Sequence, residues 1–153
     1  MSGDAVIRQA VDADAPAILA LTRAAYAKWV PVIGREPTPM LRDYAEVLRQ
    51  DRVDLLHVDG ALAAIVHTVR QPDHLEIYNL AVAPNCQGRG FGRRLLAHSE
   101  VLAASLGYDE IRLYTNKAFA ENIEIYLRVG YEIYAEKPFK EGFTVYMKKP
   151  VAK

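Results

Sequence analysis

The hexapeptide Gln87-Gly88-Arg89-Gly90-Phe91-Gly92 stands between an apolar run ending at Val82 and a long helical pattern beginning at Phe91. Upstream, residues 74–82 read as a strand. Downstream, Phe91, Leu95, Leu102 and Leu106 share one helical face, and Gly107 stands where such a helix stops. Glycines at this junction let backbone N–H groups approach an anion closely, and the helix start adds partial positive charge, so the segment reads as a phosphate or pyrophosphate cradle. Two familiar cradles do not fit. A Walker loop needs Gly-Lys and then Ser or Thr, whereas Arg93 and Arg94 follow Gly92, and a dinucleotide fingerprint starting at Gly88 needs glycine where Arg93 stands. Two arginines in a first helical turn oppose the helix dipole by about 0.3–1 kcal/mol each, a conflict that a bound anion removes. The competing reading is a plain glycine-rich turn with solvated arginines.

Around this junction, residues 74–115 spell strand, helix, strand, with the second strand at 111–115, which implies a right-handed parallel crossover. Ahead of it lie a strand at 5–10 and a helix to about residue 28, with Asp12 and Asp14 as caps and Ile18, Leu21, Ala25 and Trp29 at helical spacing. Pro31, Gly34, Pro37 and Pro39 then predict a stiff, turn-rich connection that stops the helix, followed by a second helix over 40–50. Residues 55–58 and 62–70 read as a hairpin turning at Asp59-Gly60. A helix over 120–129 ended by Gly130 and strands at 131–136 and 144–148 complete the chain. The expected class is α/β with a mixed α+β sheet, carrying helices on its faces.

At 153 residues the chain has the length of one domain spanning 1–153, and 51% hydrophobic residues suffice for a core. Lys plus Arg and Asp plus Glu both number 19, so the basic balance of a non-specific nucleic-acid binder is missing. The one cysteine, Cys86, forms no internal disulfide and no cysteine-rich zinc site, and no metal is expected. No apolar run reaches the roughly 18 residues that cross a bilayer, and the start at Met1 lacks a secretory plan, so the expectation is a cytoplasmic protein with no membrane or nucleic-acid partner.

Val82, Pro84, Gln87, Gly88, Gly90 and Gly92 together resemble the acyl-CoA-binding signature of the GNAT superfamily of N-acetyltransferases: Gln or Arg, two residues, Gly, one residue, then Gly or Ala, after the fourth strand. The order of elements matches the family along essentially the whole chain. The resemblance implies a GNAT-like fold, a mostly antiparallel mixed sheet of about six to seven strands with about four helices. It implies an acyltransferase of groups other than aminoacyl, moving acetyl from acetyl-CoA to a primary amine of a small molecule or peptide by direct attack, and a possible homodimer. Gln87, Gly88, Arg89, Gly90, Phe91, Gly92 and Arg93 would hold the pyrophosphate. A backbone N–H around Leu80, Ala81 and Val82 would serve the thioester carbonyl, beside a bulge that splays this strand from the next.

Asn122 and Tyr126 lie four apart and share a helical face. They resemble the family's cofactor-contacting Asn and the Tyr that protonates the departing thiolate, with Tyr126 followed by x-x-x-Gly130-Tyr131. With an ordinary pKa near 10, such a phenol carries its proton at pH 7. A core-edge tyrosine and a helix N-cap asparagine are the alternatives.

Glu76 precedes Gln87 by eleven residues, the position of the general-base glutamate in histone-type members. Neutralising a lysine-like amine at pH 7 costs roughly 4.6 kcal/mol against about 1 kcal/mol for an α-amine, so a base matters most for the former. Period two groups Glu76, Tyr78, Leu80 and Val82 on one face and Leu75, Ile77, Asn79 and Ala81 on the other. A carboxylate in this apolar strand would have a raised pKa, while a glutamate facing water is the alternative. His67 reads as a core-facing histidine, and Cys86 is given no catalytic role. Tyr26, Trp29 and Arg35, with Tyr44, surround the proline-rich segment that covers the acceptor pocket in the family; they suit an amine bearing a carboxylate, or equally core and rim. Phe139 and Phe143 are similarly open. A non-catalytic acyl-CoA sensor and an unrelated nucleotide-phosphate binder are the rival functions.

Overall fold

The computed structural model describes residues 4–152; Met1, Ser2 and Gly3, part of the stretch read as lacking a secretory plan, lie outside the described residues. Seven strands form one sheet: β1 (Ala5–Gln9), β2 (Arg52–Val58), β3 (Ala61–Arg70), β4 (Leu75–Val82), β5 (Glu110–Asn116), β6 (Glu132–Phe139) and β7 (Gly142–Pro150). Their order is β1-β2-β3-β4-β5-β7-β6. Every neighbouring pair is antiparallel except β4 and β5, which the crossover helix α4 (Phe91–Ser105) makes parallel. The other helices are α1 (Ala15–Tyr26), the single turn α2 (Val30–Ile33), α3 (Tyr44–Gln50) and α5 (Ala120–Arg128). The mixed, mostly antiparallel sheet with four helices beyond a single turn agrees with the sequence.

Two apolar clusters hold the layers. Ile18, Leu21 and Ala25 of α1 and Tyr44 of α3 bury against Val53, Leu55, Ile65 and Ala81 on one face. Leu95, Leu96 and Ala103 of α4 and Tyr126 of α5 bury against Leu56, Val66, Ile111, Leu113 and Met147 on the other.

Several boundaries differ from the sequence reading. Pro31 does not stop the first helix, because it falls in the first turn of α2, where a missing N–H costs nothing; a 3-10 turn, Ala27–Trp29, joins α1 to α2, and Gly34 at φ +73° ends the run. The second helix starts at Tyr44 rather than 40, since Asp43 caps it by accepting from the amides of Ala45 and Glu46, and Met40 sits in a separate 3-10 turn, Thr38–Leu41. β2 starts at Arg52, three residues early, and Asp59 and Gly60 both take the positive φ that a two-residue hairpin needs.

The main correction concerns β4. Asn79 opposes His67 while Ile77 opposes Thr68, leaving Tyr78 as the extra residue of a bulge. The bulge resets the alternation, so Leu75, Ile77, Leu80 and Val82 all pack on the α4 side, with Ala81 on the α1 side. Period two had grouped Glu76 with Leu80 and Val82, and the bulge separates them. Pairing of β4 with β5 also ends at Ile77 and Leu113. Beyond it, residues 78–82 lie beside an open gap.

No helix among the described residues is long and apolar enough to cross a membrane.

Candidate active site

The gap has a defined polarity. Ala83 N donates to Ala63 O at 2.8 Å, so in the antiparallel ladder beyond the bulge Asn79 and Ala81 bond to β3, while Leu80 and Val82 turn N–H and C=O toward the gap. Side chains meet the outward carbonyls. Arg42 Nη1 donates to Tyr78 O at 3.0 Å and Gln87 Nε2 to Val82 O at 3.1 Å. The Tyr26 hydroxyl, which donates to Asn79 Oδ1 at 3.0 Å, stands 3.5 Å from Leu80 O.

Asn79 anchors this arrangement from below. It is 2% exposed in a strand otherwise apolar on its buried side, and its Nδ2 donates to Thr22 Oγ1 at 3.2 Å and Tyr44 Oη at 3.1 Å. Tyr44 in turn donates to Pro39 O at 2.7 Å. Burial raises the pKa of both Tyr26 and Tyr44, so the network stays protonated.

A cavity of about 450 Å³ opens onto the gap. Leu80, Ala81 and Val82 form one wall; Gln87, Gly88, Gly90, Phe91, Gly92 and Arg93 form its mouth; Asn122 and Tyr126 reach it from α5. Arg89 is the predicted cofactor residue that does not line it, its guanidinium lying over the Phe91 ring at 4.9 Å. Tyr26 and Trp29, read as acceptor candidates, line this same cavity. So do Lys28, Cys86 and Arg128, which sequence reasoning missed as contacts. Lys28 carried a faint signal as the cation beside Trp29; its Nζ reaches Gln87 Oε1 at 3.4 Å and Glu121 at 3.6 Å.

At the mouth, Gly88 and Gly90 take φ +79° and +84°, and Gly90 is the N-cap of α4. The first-turn amides that follow have no acceptor within the helix and point outward. Gly92 is different. Its backbone is helical, and a methyl there would lie 3.6 Å from Val82 Cγ2 and 4.0 Å from Leu80 Cδ2, in ordinary contact. Open amides, Arg93 and Lys28 suit a diphosphate, and the free N–H edge of β4 suits an extended chain bearing carbonyls.

Tyr126 is 8% exposed and packs edge-on against Tyr131 at 6.0 Å. Burial pushes its phenol well above the usual range, so it holds its proton throughout neutral pH. Asn122 is not a cap, since Phe119 takes that position of α5.

Glu76 and Arg35 lie outside this cavity. Glu76 Oε1 meets His74 Nε2 at 2.9 Å, and His74 Nδ1 meets Asp73 Oδ1 at 2.6 Å. Glu76 Oε2 is buried with no partner. Arg35 lines a second hollow with Gly34, Asn116 and Lys140, its guanidinium 5.4 Å from the ring of Phe139. Phe139 and Phe143 stand exposed at that hairpin. His67 is buried, with Nε2 2.9 Å from Asp51 Oδ2; burial lowers its pKa against the opposing pull of that bond, which agrees with a core histidine.

A mixed sheet that opens between its parallel neighbours, over a glycine-rich helix start, is the architecture of the N-acyltransferases. Residues 18–131 match the model of the acetyltransferase (GNAT) family, and the chain belongs to that family. An uncharacterized N-acetyltransferase of Bacillus subtilis, YvbK, is 32% identical over 65 residues, a segment covering 42% of each chain. Among solved structures, the ribosomal-protein-S18-alanine N-acetyltransferase of Escherichia coli superposes with a TM-score of 0.80 at 22% identity, over 98% of this chain and 96% of that one. The PaiA N-acetyltransferase of Thermoplasma acidophilum, solved with coenzyme A, gives 0.77 at 15% identity, over 96% and 99%.

Proposed function

We propose that the protein moves the acetyl group of acetyl-CoA to a primary amine by direct attack in a ternary complex. The observation that carries this reading is the continuity of one cavity: the glycine cradle at its mouth, the unpaired N–H edge of β4 along its wall, and protonated Tyr126 inside. Amides of the first turn of α4, with Arg93 and Gln87, hold the diphosphate. The Leu80 and Val82 amides bond carbonyls of an extended arm lying in the gap, and Asn122 lines the arm.

The proton bookkeeping falls to two side chains. Glu76, on the far side of the sheet, takes the ammonium proton, and its unpartnered Oε2 is the atom able to accept it. As the new C–N bond forms and the C–S bond breaks, Tyr126 gives its proton to the leaving sulfur. Burial keeps the phenol protonated until the C–S bond breaks, and the phenolate regains its proton from water after release.

Calorimetry with acetyl-CoA and a CoA-release assay over amines grouped by charge test this reading. Absence of acetyl-CoA binding to folded protein refutes it, as does ATP outcompeting CoA. Tight binding with no amine acetylated supports the sensor instead.

A further inference from the structure

The charged turn that leads into β4 holds a contact that the proton transfer above leaves unused. Pro72 and Asp73 turn the chain between β3 and β4, and the turn is braced from two sides: Gln71 N donates to His74 O at 2.9 Å, and the Tyr108 hydroxyl donates to Gln71 O at 2.7 Å. His74 and Glu76 are two residues apart and precede the bulge, so their side chains project from the same face of the sheet. His74 is 8% exposed. Its Nε2 lies 2.9 Å from Glu76 Oε1 and its Nδ1 2.6 Å from Oδ1 of the largely exposed Asp73, so both ring nitrogens face carboxylate oxygens. An ionised carboxylate only accepts, and the ring therefore satisfies both partners when each nitrogen carries a proton. Asp73 lies below the usual carboxylate pKa range, first because of its hydrogen bond with His74. On the other side, a donor at Oε1 leaves Oε2 as the buried oxygen without a partner.

Arg112 is the rival partner for Glu76. It stands opposite Glu76 in the register of β5, yet its Nε bonds Glu110 at 2.6 Å and its Nη2 reaches Asp73 at 3.9 Å. Tyr78 of β4 and Tyr114 of β5 also face this region, with Arg42 over the Tyr78 ring at 5.4 Å and His67 of β3, bonded to Asp51, beside it. Val69, opposite Glu76 on β3, is apolar. Among the described residues, His74 is thus the side chain that bonds the Glu76 carboxylate. The difference is chemical. A guanidinium there would carry a permanent charge and a fork of donors able to cover both oxygens, whereas one imidazole nitrogen tethers one oxygen and leaves the other free.

Resting on the transferase reading above, with Glu76 as its base, we propose that His74 is a positioning residue for that base: its Nε2–H holds Oε1 so that Oε2 is aimed at the acceptor amine, and Asp73 holds the ring from behind. In the step it serves, an N–H bond of the ammonium breaks as the Oε2–H bond forms, and the neutral amine keeps the electron pair that attacks the thioester. Glu76 gives that proton to water once the product has left. His74 exchanges no proton with the substrate and acts through Glu76 alone.

The test is CoA release at saturating acetyl-CoA, with the fastest amine of the charge-grouped panel, for His74→Asn and His74→Gln alone and in a Glu76→Gln background. Asparagine ends near the place of Nδ1 and cannot reach Glu76, so His74→Asn should lower kcat about ten- to a hundredfold at pH 7, with KM for the amine changed less than about threefold. Glutamine places an amide nitrogen near the place of Nε2 and should recover at least about threefold of that loss. The deficit should shrink as the pH approaches the amine's own pKa, because a neutral amine needs no base. In the Glu76→Gln background, His74→Asn should cost less than about twofold more, since a residue that acts through Glu76 has nothing left to act on. A hydrogen-bonded ring N–H proton of His74, seen far downfield by NMR in the parent and lost in Glu76→Ala, reads the contact without turnover or a folded His74 variant. The proposal is overturned if the deficit is the same at every pH, if glutamine does no better than asparagine, if the loss persists in full in the Glu76→Gln background, if Glu76→Gln keeps the parental rate, or if Glu76→Ala leaves the ring resonance in place. A parent protein that binds no acetyl-CoA or acetylates no amine is a separate outcome, and it removes the transferase reading itself.

Discussion

Gly90→Ala and Gly92→Ala each add one methyl to the same cradle, yet the backbone gives them opposite consequences. At Gly90 the new Cβ meets nothing within 4 Å, so the cost is conformational: φ is +84°. Holding a non-glycine residue there costs about 1–2 kcal/mol, offset by about 0.4–1 kcal/mol from a less free unfolded chain. A net loss of roughly 0.5–1.5 kcal/mol in urea unfolding is therefore expected. Gly90 O accepts the Arg94 amide at 3.1 Å, so relaxation of this φ rotates the start of α4 and its outward amides. Losing even one charge-assisted hydrogen bond, about 1.5–3 kcal/mol, weakens acetyl-CoA binding roughly ten- to a hundredfold. At Gly92 the φ is ordinary and the Cβ lies in normal contact with Val82 and Leu80. There Ala should gain up to about 1 kcal/mol of helix propensity and keep acetyl-CoA affinity within about threefold. Unfolding curves and calorimetry on the two variants read both quantities. Equal effects from the pair, or a Gly90→Ala protein with parental stability and affinity, would refute the assignment of the cradle.

Tyr126→Phe should lower kcat roughly ten- to a thousandfold with KM for acetyl-CoA little changed, and an unchanged kcat assigns the proton to another donor. Glu76→Gln should flatten the rise of rate with pH, and a parental profile strips Glu76 of the base role. Asn79→Ala leaves the Tyr26, Thr22 and Tyr44 hydroxyls without their shared partner, so unfolding should cost about 2–4 kcal/mol less; a loss under about 1 kcal/mol would show that the network relaxes freely. Asp14 is held down to about 2 from 3.8, first by Arg8 and then, against burial, by the Val11 amide. Its folded pKa lies below its unfolded one, so its stabilisation is complete above pH 4 and is lost as pH falls through 2. Asp14→Asn should thus be less stable than the parent at pH 6, with the gap closing near pH 2; a constant gap in urea midpoints contradicts the pairing.

The cradle was legible because its chemistry is local: glycines with positive φ followed at once by a helix are written in consecutive letters. Tyr126 and Asn122 were legible for the same reason, being one helical turn apart. The bulge at Tyr78 was not, because it exists only in the register against His67, and nothing in an alternating run marks which residue will be skipped. That one skipped residue moved Glu76 away from Leu80 and Val82. Arg42 was invisible too: it meets Tyr78 and Tyr114 across 36 and 72 residues of chain, so only the folded topology gives it a partner. Pro31 misled because a proline that ends one helix and a proline that starts the next look alike until the turn between them is seen.

The open gap is a matter of backbone accounting. A strand edge released from its neighbour exposes donors and acceptors together, and leaving both unpaired in a half-buried cleft would favour closing the sheet. Here the two kinds are treated differently. The outward carbonyls of Tyr78 and Val82 are capped by Arg42 and Gln87, with Tyr26 beside that of Leu80, while the amides of Leu80 and Val82 face the cavity. Capping the acceptors takes away half of what β5 would need to re-pair, and the bulge turns the strand away from it. What remains along the wall is a row of donors. A ligand that completes this edge must bring carbonyl oxygens at strand-like spacing and an anion for the glycine amides at its other end, which is the chemistry of an acylated pantetheine diphosphate and not of a bare nucleotide.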